Sequence, residues 1–212
     1  MSKLLYVTVS PLSGKKSKSM NVGDHFIKEW KANHPNDTVE TLDLFNGDIP
    51  FLSQDIFDAW SVLKSGESIY TLPKKDREKV RRNDELLNQF MEADKIVFVN
   101  PMWNLFFPPV LKAYIDILCV ARKTFAYTVE GPVGLLKDKK VLHIQSSGGV
   151  YDRSEGAPIV DFGDAYLKHM MGFFGIFDYE AIHIDGIDAA PDKKDEIMGA
   201  AKGKASEIAK KF

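Results

Sequence analysis

The chain has 212 residues, 44% hydrophobic and 27% charged, which is enough apolar material for one ordinary globular domain and excludes a disordered or low-complexity chain. Its 28 Lys and Arg against 30 Asp and Glu leave a net charge of −2, so neither nucleic acid nor an anionic membrane has an electrostatic reason to bind, and small molecules are the expected partners. No apolar run approaches the roughly 18 residues of a membrane span, the first ten residues lack a signal-peptide pattern, and the single cysteine, Cys119, allows no intrachain disulfide; a cytoplasmic protein is expected.

Leu4–Val9 (LLYVTV) reads as a buried strand that ends at Ser10-Pro11. The segment Ser10–Asn21 (SPLSGKKSKSMN) then places Ser13, Gly14, Ser17 and Ser19 just before a helix with Val22, Phe26, Ile27 and Trp30 on one face, and Lys15, Lys16 and Lys18 add a local positive field. A strand, a small-residue loop and a helix N-terminus form an anion site, because free N–H groups and the helix dipole both favour a phosphate. Plain N-capping by Ser19 is the alternative. The loop is not a Walker A sequence, since Gly14-Lys15-Lys16-Ser17 lacks the first glycine, and G-x-G-x-x-G is absent.

Thr38–Leu44 is a second strand, followed by a turn at Asn46-Gly47-Asp48-Ile49-Pro50. Residues 51–73 form an insert carrying Phe51, Phe57, Trp60 and Tyr70, either a lid, a partner contact or a short surface helix closing the core. Lys74–Ala93 is a charged helix whose buried side is Val80, Leu86, Leu87 and Phe90. Lys95–Asn100 is apolar enough to be a central parallel strand buried on both faces, and Pro101 stops it. Pro108 and Pro109 suit the first turn of the next helix, which makes Met102–Phe107 a strand-to-helix loop. That loop holds Trp103 and Asn104. An indole beside a carboxamide can cover a planar heterocycle and bond its edge, although the indole can equally be a lid on the core. Cys119 lies in the helical pattern and reads as core packing.

Thr124–Thr128 alternates with period two and is broken soon after by glycines, a short hairpin or an excursion off the sheet edge. Its Phe125 and Tyr127 fall on one side, to wall an aromatic pocket or to pack on the sheet. Lys140–Gln145 (KVLHIQ) is the fourth strand, with His143 an interior histidine rather than a base. It feeds Ser146-Ser147-Gly148-Gly149, where glycines let backbone N–H groups approach a ligand. Asp161–Phe174 is helical, Tyr179–Ile184 is the fifth strand and Lys193–Phe212 is a closing amphipathic helix. Five strands alternating with helices predict a single α/β domain over 1–212, a doubly wound parallel sheet in the order 2-1-3-4-5 with helices on both faces.

In that order the loops after the first, third and fourth strands open at one sheet edge around the point where strand order reverses. A phosphate cradle, an aromatic cover with an amide and a glycine-rich rim together suit flavin mononucleotide (FMN). The five histidines show no metal spacing and there is no G-x-S-x-G elbow, so no metal is expected and a cofactor would carry any chemistry.

Ser17-Lys18-Ser19, Pro101-Met102-Trp103-Asn104-Leu105, Phe125-Ala126-Tyr127-Thr128 with Glu130–Leu135, and Ser146-Ser147-Gly148-Gly149 together resemble the FMN-dependent NADH-azoreductases, flavodoxin-like homodimeric quinone reductases. The resemblance spans essentially the whole chain. Many members have tyrosine at the place of Trp103. The resemblance implies two-electron reduction of quinones and reductive cleavage of aromatic azo bonds, with NADH as donor. It also implies FMN phosphate contacts from Ser10, Ser17, Lys18 and Ser19, and isoalloxazine contacts from Pro101, Met102, Trp103, Asn104 and Leu105. Ser146, Ser147, Gly148 and Gly149 would touch the cofactor, and Trp103, Phe125 and Tyr127 the acceptor. Two other readings are weighed: a flavodoxin-type electron carrier, which usually shows a strongly acidic docking face, and a receiver-type phosphorylation module, which needs aspartate where this chain has Asn100.

Overall fold

A computed structural model describes residues 1–14, 16–151, 153 and 161–212. Five parallel strands form the central sheet: β1 (Lys3–Thr8), β2 (Thr38–Asp43), β3 (Lys95–Pro101), β6 (Lys140–Ser146) and β7 (Asp178–Ile184), in the spatial order β2-β1-β3-β6-β7. Taken in chain order these five are the expected 2-1-3-4-5 arrangement. Two further short strands, β4 (Phe125–Thr128) and β5 (Gly131–Gly134), stand outside it as an antiparallel hairpin.

The alternate side chains of β1 show why the strands are apolar throughout. Leu5 and Val7 face a core with Phe98, Phe90, Tyr114 and Phe174, while Leu4 and Tyr6 face another with Val97, Val99, Phe26 and Trp30. The first core is covered by α3 (Lys74–Glu92), α4 (Pro109–Leu118) and α5 (Phe162–Phe174), the second by α1 (Lys18–Asn33) and α6 (Lys194–Lys211). Because both faces are buried, a polar side chain on a central strand needs a partner inside the protein. Gly23 brings α1 close to the sheet: a Cβ there would lie 2.5 Å from the Tyr6 hydroxyl.

The insert is helical. Residues 51–73 contain α2 (Gln54–Lys64) and a 3₁₀ turn at Ile69–Thr71, and Ala59 and Leu72 bury a small satellite cluster with Val80 of α3. Ser53 accompanies Asp55 in the first turn of α2, and Lys79 of α3 pairs with the same carboxylate. Phe51, Phe57 and Tyr70 remain exposed, and Trp60 packs edge-on to Phe57. No helix among the described residues is long and apolar enough to cross a membrane.

Candidate functional site

Every strand of the central sheet runs in one direction, so the loops after β1, β3, β6 and β7 gather at its carboxyl edge. In the first of them Ser17, not Ser19, caps α1. Its backbone is extended (φ −92°, ψ 129°) and its Oγ accepts from Met20 N at 3.4 Å. Ser19 lies one residue inside the helix, and its Oγ is 3.2 Å from that of Ser17. Both hydroxyls are buried, in a first turn with no acidic residue, at the positive end of a 16-residue helix. Ser10 is tied to Leu12 by two 3.2 Å hydrogen bonds. Lys18 points toward Asp188 and Lys194, and burial together with Lys194 lowers its ammonium from the ordinary value.

The second loop is a tight turn. Trp103 and Phe106 exchange backbone hydrogen bonds of 2.7 and 3.1 Å, and Asn104 and Leu105 between them both have positive φ, 51° and 66°. This is the geometry of a type I′ turn, for which asparagine is well suited in the first central place and leucine is not. The base is anchored by Phe106 and Phe107 against Tyr166 of α5. Trp103 is not a lid on the core: its side chain is 41% exposed and meets the edge of Phe45, 6.0 Å away. Asn104 and Leu105 are also exposed.

In the third loop Ser147 Oγ lies within donating reach of two acceptors, Asp185 Oδ1 at 2.7 Å and the Gly149 carbonyl at 2.8 Å, while Asp188 and Ala189 donate their N–H groups to Gly148 O. Gly148 lies so close to the Asp188 carboxylate that a Cβ would collide with it. The resulting concavity, about 200 Å³, is lined by Lys18, Pro101, Met102, Ser146, Ser147 and Gly148, with Ile187 and Asp188 from the loop after β7. Six of the expected site residues thus share one cavity. Ile187 and Asp188 were not expected, though the rule that gathered the other loops at this edge applies equally to the last strand.

Phe125 and Tyr127 stand apart. Phe125 is buried against Phe173 near the end of α5, 4.6 Å between rings, and Tyr127 is exposed with its ring edge-on to Phe125. A larger cavity, about 730 Å³, lies beside that hairpin at the amino edge of the sheet, between Pro132, Phe173 and Phe177. Among the described residues no helix N-terminus lines it, and the smaller cavity at the carboxyl edge, beside the start of α1, is the better candidate on chemical grounds. Cys119 ends α4 half-buried, and burial pushes its thiol up to about 11.

Behind the cavity floor lies a connected set of buried polar side chains. Asn100 at the end of β3 lies 2.8 Å from His143 Nε2 and 3.1 Å from Gln145 Oε1; Gln145 in turn meets Asp161 Oδ2 at 2.6 Å. His143 Nδ1 is 2.7 Å from Asp164 Oδ1, which also accepts from the Tyr179 hydroxyl at 2.8 Å. His183 Nε2 approaches Asp164 to 3.3 Å without hydrogen-bond geometry. Burial raises the Asp164 carboxyl, but the hydrogen bond from His143 and the proximity of His143 and His183 outweigh it and hold the group well below the carboxylate range. His143 is therefore the interior histidine expected, with both ring nitrogens engaged.

The chain matches the Flavodoxin_2 family model, described as a flavodoxin-like fold, over residues 2–209. It is 51% identical over 212 residues, the full length of both chains, to the FMN-dependent NADH:quinone oxidoreductase of Staphylococcus haemolyticus. The chain belongs to this flavodoxin-like oxidoreductase family. Other family members agree: the FMN-dependent NADH:quinone oxidoreductase of Geobacillus kaustophilus is 47% identical, again with both chains fully covered. The crystal structure of an azoreductase from Bacillus anthracis superposes with a TM-score of 0.91 at 40% identity, with full coverage of both chains. An FMN-dependent NADH-azoreductase from the same species, solved in complex with FMN, gives 0.90 at 31% identity, covering 99% of this chain and 98% of its own. The family relatives are enzymes, which favours the enzyme reading over an electron carrier.

Proposed function

We propose that this chain is an FMN-dependent NADH:quinone oxidoreductase that also cleaves aromatic azo compounds, acting as a cytoplasmic homodimer. The observation that carries this reading is the buried hydroxyl pair Ser17 and Ser19 at the N-terminus of α1, beside the cavity of Lys18, Pro101, Met102, Ser146, Ser147 and Gly148. Two hydroxyls and free N–H groups at a helix start are suited to a phosphate, and the adjoining backbone edges to a flat heterocycle. The relatives' names and the FMN complex of a structural neighbour support the same cofactor.

FMN, when bound, supplies hydride transfer from NADH and two-electron reduction of the acceptor. Ser10, Ser17, Lys18 and Ser19 would hold its phosphate, and Pro101, Met102, Trp103, Asn104 and Leu105 with Ser146–Gly149 its ring system. The exposed indole of Trp103 would stack on donor and acceptor in turn. Tyr127, on a hairpin apart from Trp103, would join the acceptor pocket from a second copy of the chain rather than from its own. The protein's contribution is then orientation more than acid–base chemistry. Anaerobic stopped-flow mixing of the yellow protein with NADH should bleach the flavin band, and a quinone should then restore it. A flavin that stays oxidised under NADH would refute the assignment.

A further inference from the structure

The hydrogen bonds beneath the carboxyl edge fix one another's direction. Asp161 receives the Arg153 guanidinium at 3.0 Å from Nε and 2.8 Å from Nη2, so it is an ionised acceptor. Gln145 must meet it through Nε2, which turns Gln145 Oε1 toward Asn100. Asn100 faces that oxygen and the carbonyl of Pro101, both at 3.1 Å and both acceptors, so its Nδ2 points to them and its Oδ1 to His143. An amide oxygen cannot donate. His143 Nε2, 2.8 Å from Asn100 Oδ1, therefore carries hydrogen, and so does Nδ1, 2.7 Å from the Asp164 carboxylate.

We propose that His143 is a doubly protonated imidazolium sealed in the core, and that it serves as a positioning residue for the cofactor edge. It holds Asn100, and Asn100 Nδ2 holds the Pro101 carbonyl, from which the Met102–Leu105 loop departs. Pro101 and Met102 line the cavity, so the chain of bonds reaches the surface on which a ligand would rest.

A fully buried cation is costly unless it is paired, and Asp164 is its counter-charge. The groups facing the ring are Asn100 from β3, Asp164 from α5, and Tyr179 and His183 of β7, which crowd the same carboxylate. With hydrogen on both nitrogens the ring has no lone pair to offer, so His143 cannot act as a base. Hydrogen on Nε2 follows from the hydrogen bonds alone, and hydrogen on Nδ1 from the contact with Asp164 together with the ionised state of that carboxyl; the positioning role also rests on the FMN reading above.

Nitrogen-15 NMR of the flavin-free protein near about pH 8, where an ordinary imidazole is neutral, should show directly bonded hydrogen on both ring nitrogens of His143. Asp164→Asn should lose that second hydrogen. His143→Gln, whose single amide group cannot bridge Asn100 and Asp164, should shift the indole N–H resonance of Trp103 and bind FMN about tenfold more weakly. A singly protonated ring in the wild-type protein overturns the proposal whatever happens with FMN. Two ring hydrogens combined with wild-type FMN affinity and an unmoved Trp103 resonance in His143→Gln overturn the positioning role. A wild-type protein that takes up no FMN would defeat the functional reading, and with it the positioning role, leaving the ring measurement to decide the protonation by itself.

Discussion

Asp164 shows how much a single buried carboxylate can control. Its side chain is 14% exposed and faces His143, His183 and the Tyr179 hydroxyl, so removing its charge leaves His143 without a counter-ion in the core. Breaking such a pair costs about 3 kcal/mol. Because its folded pKa is depressed, the stabilisation is complete above the unfolded carboxylate value, about 3.9, and is lost as pH falls below it toward the folded value. Denaturant titrations of Asp164→Asn should therefore show a large deficit at neutral pH that narrows under acid conditions; a deficit independent of pH would contradict the pairing. None of this was legible in the sequence. His143 could be read as an interior histidine from its place in an apolar strand, but its partners come from β3 and α5, and only tertiary structure brings Asn100 and Asp164 to it.

At the scale of elements, the start of α1 is where the proposed phosphate site meets local helix chemistry. The hydroxyl-rich run before the helix could be read as a strand-to-helix loop and candidate anion site, because the signal is local: small polar residues between a strand and an amphipathic helix. Which serine caps was not. Ser17 takes that place since its backbone is still extended, leaving Ser19 inside the first turn with its hydroxyl beside that of Ser17. Ser17→Ala should cost about 1 kcal/mol of stability through the lost cap. More tellingly, the wild-type protein should prefer FMN to riboflavin strongly, and the Ser17→Ala, Ser19→Ala double variant should lose much of that preference. An equal loss for both flavins, measured by fluorescence titration, would mean the hydroxyls do not read the phosphate. The helix α2 was legible only as one of three alternatives for residues 51–73, a short surface helix. Its face packs only a small satellite cluster on α3, so residues 51–73 carry too few buried apolar positions to show a period.

For the whole molecule, the five-strand order and the convergence of loops at one edge were legible because doubly buried strands are continuous apolar runs and the topology rules admit few arrangements. The sequence could not place the β4–β5 hairpin, whose packing against α5 depends on the close approach of Gly134 to Gly175. The exposed aromatic residues Phe51, Phe57, Tyr70, Trp103 and Tyr127 are what the proposed dimer would have to cover. Light scattering at micromolar concentration should accordingly give twice the 23.9 kDa chain mass; the single-chain mass with full activity would argue against the dimer. The most direct test of the central claim, that one site receives NADH and acceptor in turn, is an initial-rate study varying both NADH and a quinone. Exchange of substrates at one flavin surface predicts parallel double-reciprocal lines, whereas intersecting lines would show both substrates bound together and contradict the shared site.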